Sequence, residues 1–104
     1  MSAGIIELND SNFEAETKAG KVLVDFWAPW CGPCRMQTPI LEQLVSKVAD
    51  AKIAKLNVDD APSVAAKFGI MSIPTLIVLK DGQPVKQFVG VQQADVLEAA
   101  LQEA

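Results

Sequence analysis

Hydrophobic positions come in short runs, separated by polar clusters and by glycine and proline. Ile5–Leu8 is a brief β-like run, and Asn9-Asp10 interrupts it. Ser11-Asn12-Phe13-Glu14 has the form of a capping box, with Ser11 as N-cap and Glu14 reaching back. It predicts a short helix to about Lys18, stopped near Gly20. Lys21–Ala28 is almost continuously apolar, which predicts a strand buried on both faces, and Pro29 closes it. Met36, Ile40, Leu41, Leu44, Val45 and Val48 then recur at helical spacing to about Ala49. Pro39 lies inside that pattern, and the periodicity continues past it, so it should kink the helix without ending it. We expect Met36 and the Leu/Val set of this helix in the core.

Lys52–Val58 alternates weakly and predicts another strand. Asp59-Asp60-Ala61-Pro62 opens a short helix, with the acidic pair as a helix N-terminus feature and Gly69 at the far end. Thr75–Leu79 is β-branched and apolar, Asp81-Gly82 is a hairpin turn signal, and Val85–Val89 is the return strand with Pro84 at its edge. Gly90 breaks the run, and Val96, Leu97, Ala100 and Leu101 give a last amphipathic helix. The order β-α-β-α-β-α-β-β-α predicts an α/β fold. Parallel strands joined by right-handed crossovers come first, then an antiparallel hairpin, in one mixed sheet with helices on both faces. With 104 residues and no linker or repeat, we expect a single domain over 1–104.

Composition narrows the function. The longest apolar runs are a few residues long, as in Leu76-Ile77-Val78-Leu79, so no membrane-spanning helix is expected. Nine Lys and Arg against thirteen Asp and Glu leave a net charge of −4, which disfavours nucleic acid as the partner. Met1–Glu7 shows neither a basic cluster nor an apolar leader core, from which we expect a reducing, cytoplasmic location. There is no histidine, so Ser-His-Asp and Cys-His nucleophilic machinery is absent. The only two cysteines are Cys31 and Cys34.

Those cysteines frame the turn Trp30-Cys31-Gly32-Pro33-Cys34-Arg35, between a buried strand and a long helix. Residues three apart on a helix share a face at about 5–6 Å between Cβ atoms. A disulfide accepts a Cα separation of roughly 4.4–6.8 Å, so the pair can open and close on a fixed scaffold. Cys31 falls just before the helix, where unpaired N–H groups and the positive end of the dipole favour a thiolate. Pro33 suits the first helical turn, and Gly32 lets another chain approach. Competing readings fit less well. A zinc site needs about four ligands, and two thiols without histidine fall short. An iron–sulfur cluster meets the same shortage unless two chains pool their cysteines. Covalent haem attachment wants His where Arg35 stands. A purely structural bridge over so small a loop contributes only about 2 kcal/mol.

The segment Phe26-Trp27-Ala28-Pro29-Trp30-Cys31-Gly32-Pro33-Cys34-Arg35-Met36 closely resembles the active-site segment of the thioredoxin family. Further markers run along the whole chain: Asp25, Pro39, Lys55, Val58-Asp59, Ile73-Pro74-Thr75, Phe88 and Gly90. The chain departs from common members at Arg35, where Lys is also frequent. Gln37-Thr38 replaces a more apolar pair, and Ser72 stands where Gly often precedes Ile73. The resemblance implies the thioredoxin fold, with a central mixed five-stranded sheet flanked by four helices. It implies a protein-disulfide reductase in which Cys31 is the nucleophile and Cys34 the resolving thiol.

By the same resemblance Asp25 lies beneath the cysteines and moves a proton to or from Cys34, with Lys55 modulating it. The competing readings are a structural ion pair between the two, and a simply solvated Lys55 at a strand end. The resemblance also implies a cis Pro74. It implies a flat apolar docking surface around an exposed Cys31, built from Trp30, Ile73, Pro74, Gly90 and Val91. For Trp27 we expect core packing, with direct contact at that surface as the competing reading. No cofactor is expected on the chain. Electrons would come from NADPH through a flavin-dependent reductase, and disulfide-containing proteins would be the substrates of a monomer. Two other classes remain: the same turn run toward oxidation or isomerisation, and a docking module without turnover.

Overall fold

The computed structural model describes residues 4–104, so residues 1–3, on which part of the leader reading rests, lie outside it. Five strands form one sheet in the order β1-β3-β2-β4-β5. They are β1 (Ile5–Leu8), β2 (Lys21–Trp27), β3 (Ala51–Asn57), β4 (Thr75–Lys80) and β5 (Gln83–Val89). The helices are α1 (Phe13–Thr17), α2 (Gly32–Lys47), α3 (Pro62–Lys67) and α4 (Ala94–Glu103). β3 pairs in parallel with β1 and β2, while β4 runs antiparallel to both β2 and β5. The predicted element order and the mixed sheet are both present.

Side chains of a strand alternate between faces, and the near-continuous apolar run of β2 follows from burial on both. Val22, Val24 and Phe26 join Leu8, Phe13, Leu56 and Val64 on the side of α1 and α3. Leu23 joins Ile53, Leu41, Leu44 and Leu97 on the side of α2 and α4. By the same parity Asp25 points with Leu23 toward α2, into a layer that is apolar apart from the buried Gln37 and the half-buried Lys55.

Several local expectations are corrected. Ser11 does not cap α1: the N-cap is Asn12, without a side-chain cap bond. The Asn9 carboxamide oxygen instead accepts from the N–H groups of Ser11 and Asn12 at 2.8 and 2.9 Å, a local turn that competes with the capping box. The acidic pair lies directly before the α3 N-cap Ala61, as expected, but makes no side-chain cap bond. Asp10 Oδ1 accepts from the Val64 N–H at 3.1 Å, while Asp60 accepts from the Asn57 amide at 3.3 Å. Met36 is 66% exposed, because the buried stripe of α2 runs through Cys34, Gln37, Leu41 and Leu44, and Met36 projects about a third of a turn away from it. Val96 is exposed for the same reason, since α4 buries Ala94, Leu97, Ala100 and Leu101. α2 continues through Pro39 to Lys47, where Val48 turns extended.

At the end of the sheet away from the cysteines, Asp81 and Gly82 make the β4–β5 turn with φ of 50° and 85°. Two consecutive left-handed residues are what the tight hairpin turn requires. The hairpin places Thr75 and Val89 side by side at the cysteine end.

Candidate active site

β2 delivers the chain to the dithiol turn, and α2 begins inside it. The Cys31 N–H bonds to the Ala28 carbonyl at 3.1 Å, Val58 N–H to Trp27 at 2.9 Å, and the Arg35 guanidinium to Pro29 at 3.0 Å. Cys31 is the N-cap of α2, in extended conformation, and Pro33 occupies the first turn. The Cys34 N–H points at Cys31 Sγ from 3.2 Å. Sulfur therefore stands where a capping oxygen usually does, at the positive end of a 16-residue helix. The two cysteines are joined as a disulfide with Cα atoms 5.3 Å apart. The expected exposed Cys31 is corrected: both cysteines are buried, Cys31 keeping 5% exposure and Cys34 2%. Gly32 and Pro33 are exposed, and nothing lies within 4 Å of where a Gly32 side chain would start.

Three further loops close on this turn. The Ile73–Pro74 bond is cis, and the Ile73 carbonyl oxygen lies 3.8 Å from Cys31 Sγ. Pro74 itself is buried, Ile73 is half-buried, and the Gly90 N–H donates to the Pro74 carbonyl at 2.8 Å. Gly90 holds φ +96°, which a side chain rarely tolerates. Val91 is half-buried beside it, and Trp30 stands 69% exposed on the other flank. The Trp30 indole N–H donates to Asp59 Oδ2 at 3.0 Å, which fixes the ring against the loop after β3. Of the apolar surface residues, Trp30, Met36 and Met71 are the widely exposed ones on the loops and helix around the cysteines.

On β2, two residues before Trp27, Asp25 is fully buried, and neither carboxylate oxygen has a hydrogen-bond partner among the described residues. Burial pushes its pKa up to about 7, against a smaller downward pull from the Lys55 charge. Lys55 is the register partner of Asp25 across β2 and β3. It does not form the structural ion pair of the competing reading: no Lys55–Asp25 salt bridge is present among the described residues. Its ammonium donates to Thr38 Oγ1 at 2.7 Å and sits 4.3 Å from the centre of the Trp27 ring. Half-buried and engaged, Lys55 is not a solvated strand-end lysine either. Trp27 packs against Ala28, Cys31 and Cys34, beside the site as much as in the core.

Asp59, Gln37 and Thr38 stood out in the sequence as a family marker and as departures, but their contacts were not legible there. Asp59 holds Trp30, Thr38 holds Lys55, and Gln37 bonds the loop after Gly90. For Gln37 there was a signal: it is a polar residue on the apolar stripe of α2, three residues after Cys34 and four before Leu41.

The family profile described as Thioredoxin matches residues 4–103. The thioredoxin of Alicyclobacillus acidocaldarius subsp. acidocaldarius is 55% identical over 96 residues, covering 90% of this chain and 91% of that one. The thioredoxin of Bacillus subtilis (strain 168) is 50% identical over 95 residues, with the same coverage of 90% and 91%. Among solved structures, a point-mutant thioredoxin from Halobacterium salinarum NRC-1 superposes with a TM-score of 0.88 at 32% identity, over 98% of this chain and 91% of that one. A disulfide at a helix N-terminus and a profile match across nearly the whole length agree: the chain belongs to the thioredoxin family of thiol-disulfide oxidoreductases, and Cys31–Cys34 is its redox-active disulfide.

Proposed function

We propose that Cys31 opens and Cys34 completes the reduction of disulfides in other proteins. The contact that carries this is the Cys34 N–H aimed at Cys31 Sγ from 3.2 Å. In the reduced chain the same N–H, with the helix dipole behind it, stabilises an anion on Cys31 and does nothing comparable for Cys34. The Cys31 thiolate attacks one target sulfur. The S–S bond of the target breaks, its second sulfur leaves as a thiolate, and a mixed disulfide forms. Cys34 then loses its proton and attacks Cys31 Sγ. The mixed disulfide breaks, the target leaves with two electrons gained, and Cys31–Cys34 is the oxidised product. Both sulfurs sit on one helical turn, so this second step is effectively unimolecular.

Asp25 is the proton acceptor for Cys34 in this reading, and no histidine competes for the role. A carboxyl with a pKa of about 7 is part protonated at neutral pH, and can both take and return a proton there. Lys55, held by Thr38 and Trp27, biases Asp25 toward its charged form from a distance. Trp30, Ile73, Gly90 and Val91 form the docking surface, with Pro74 supporting it from beneath. Members of the family receive electrons from a reductase. We propose an NADPH-dependent flavoprotein here, acting on a monomer in the cytoplasm that uses neither nucleic acid nor membrane. Among the described residues no helix is long and apolar enough to cross a membrane.

Trapping tests the roles. Cys34→Ser should accumulate mixed disulfides with a protein substrate, and Cys31→Ser should accumulate none. Equal trapping by both variants would refute the assignment.

A further inference from the structure

Gln37 has no part in the exchange chemistry, yet its carboxamide is completely buried in the apolar stripe of α2. A buried amide is costly unless both of its ends are bonded. Here both are, and to one residue. Gln37 Nε2 donates to the Gln92 carbonyl at 2.9 Å, and Gln37 Oε1 accepts from the Gln92 N–H at 2.8 Å. Two bonds to the backbone of one residue fix its orientation as well as its position, as a strand partner would.

Gln92 needs such a partner. β5 ends at Val89 and α4 starts at Ala94, so the residues between have no ladder of their own. The first anchor of this link is the Gly90 N–H on the Pro74 carbonyl at 2.8 Å. The second is the Gln37 clamp. Gln92 Nε2 adds an internal tie to the Gly90 carbonyl at 3.3 Å. Val91 lies between the two anchors. A hydrophobic residue at position 37 would fill the same space but leave the Gln92 N–H and C=O without partners.

We propose that Gln37 is a positioning residue for protein substrates: by clamping Gln92 to α2 it holds Gly90 and Val91 against the Pro74 loop, in the arrangement on which the chain flanking a target disulfide docks. The inference rests on the docking surface described above. It separates docking from sulfur chemistry, because neither hydrogen bond of the clamp involves a cysteine.

The test compares wild type with Gln37→Met, which keeps length and removes both bonds, using insulin as the protein disulfide and a small aromatic disulfide that needs no docking surface. KM for insulin should rise roughly five- to tenfold, the equivalent of about one net hydrogen bond. The kcat for insulin and the rate with the small disulfide should stay within about twofold, as expected when only uniform binding is lost. Hydrogen exchange at the Gln92 amide should accelerate. Gln37→Leu takes the place of the Met variant if that one fails to fold. Val91→Glu tests the surface itself. If it raises KM while Gln37→Met does not, the Gln37 role is overturned and the surface stands. If Val91→Glu leaves KM unchanged, the surface fails and the inference with it. Equal losses on both substrates in Gln37→Met would mark the residue as merely structural.

Discussion

At Asp25, two carboxylate oxygens without hydrogen-bond partners among the described residues lie in an apolar layer, and the neighbouring Lys55 is bonded to Thr38 instead. Burial wins over the Lys55 charge, and the pKa stands at about 7. This has a consequence for stability. The folded chain holds this proton more tightly than the unfolded chain, whose carboxyl has a pKa of about 4. Asp25 is therefore without penalty below about pH 4, and it destabilises the fold progressively as pH rises toward and through 7. The full penalty above pH 7 is on the order of 4 kcal/mol. Denaturant unfolding of the oxidised protein at pH 5.5 and 8.5 should show wild type losing stability over that range, and Asp25→Asn losing far less. Equal losses in the two would mean that Asp25 does not titrate between them. Sequence alone pointed to this residue, because one charged side chain in a doubly buried strand stands out. It could not reveal Thr38 as the Lys55 partner, since that bond depends on how α2 lies over β3.

Among the elements, α2 does most to shape the site. Its first turn carries the disulfide, its buried stripe carries Gln37, and its opposite face leaves Met36 in solvent. Periodicity located the helix and the phase of its Leu/Val set, with Leu41 and Leu44 buried and Val45 and Val48 packed against them, and failed only at Met36, which also fits an apolar helical spacing. Turn chemistry was more legible. The Asp81-Gly82 hairpin is as predicted, since left-handed backbone at both residues is a local demand that few side chains meet. The capping box failed because Asn9, two residues upstream of Ser11, takes the Ser11 N–H that Glu14 would have to reach. The hairpin also gives a control. Gly82→Ala places a side chain at φ +85° without steric overlap, since the nearest heavy atom is 3.8 Å away. It should cost about 1–2 kcal/mol in denaturant unfolding and leave disulfide reduction unchanged. A loss of activity at full stability would mean that the far end of the sheet communicates with the cysteines.

For the whole molecule, the sheet order β1-β3-β2-β4-β5 puts β2 in the centre, and its cysteine end feeds directly into α2. The alternation of strands and helices made that architecture readable. The meeting of the Trp30, Pro74 and Gly90 loops came only through family resemblance, because no local pattern records which loops converge. The resulting surface surrounds one sulfur of unequal standing, and that inequality is the central claim. It is tested by reducing the protein and timing alkylation of each cysteine by iodoacetamide at pH 7. Cys31 should react well ahead of Cys34 and faster than the thiol of an unstructured peptide. Equal rates at the two positions, or a Cys31 no faster than the peptide, would contradict the account.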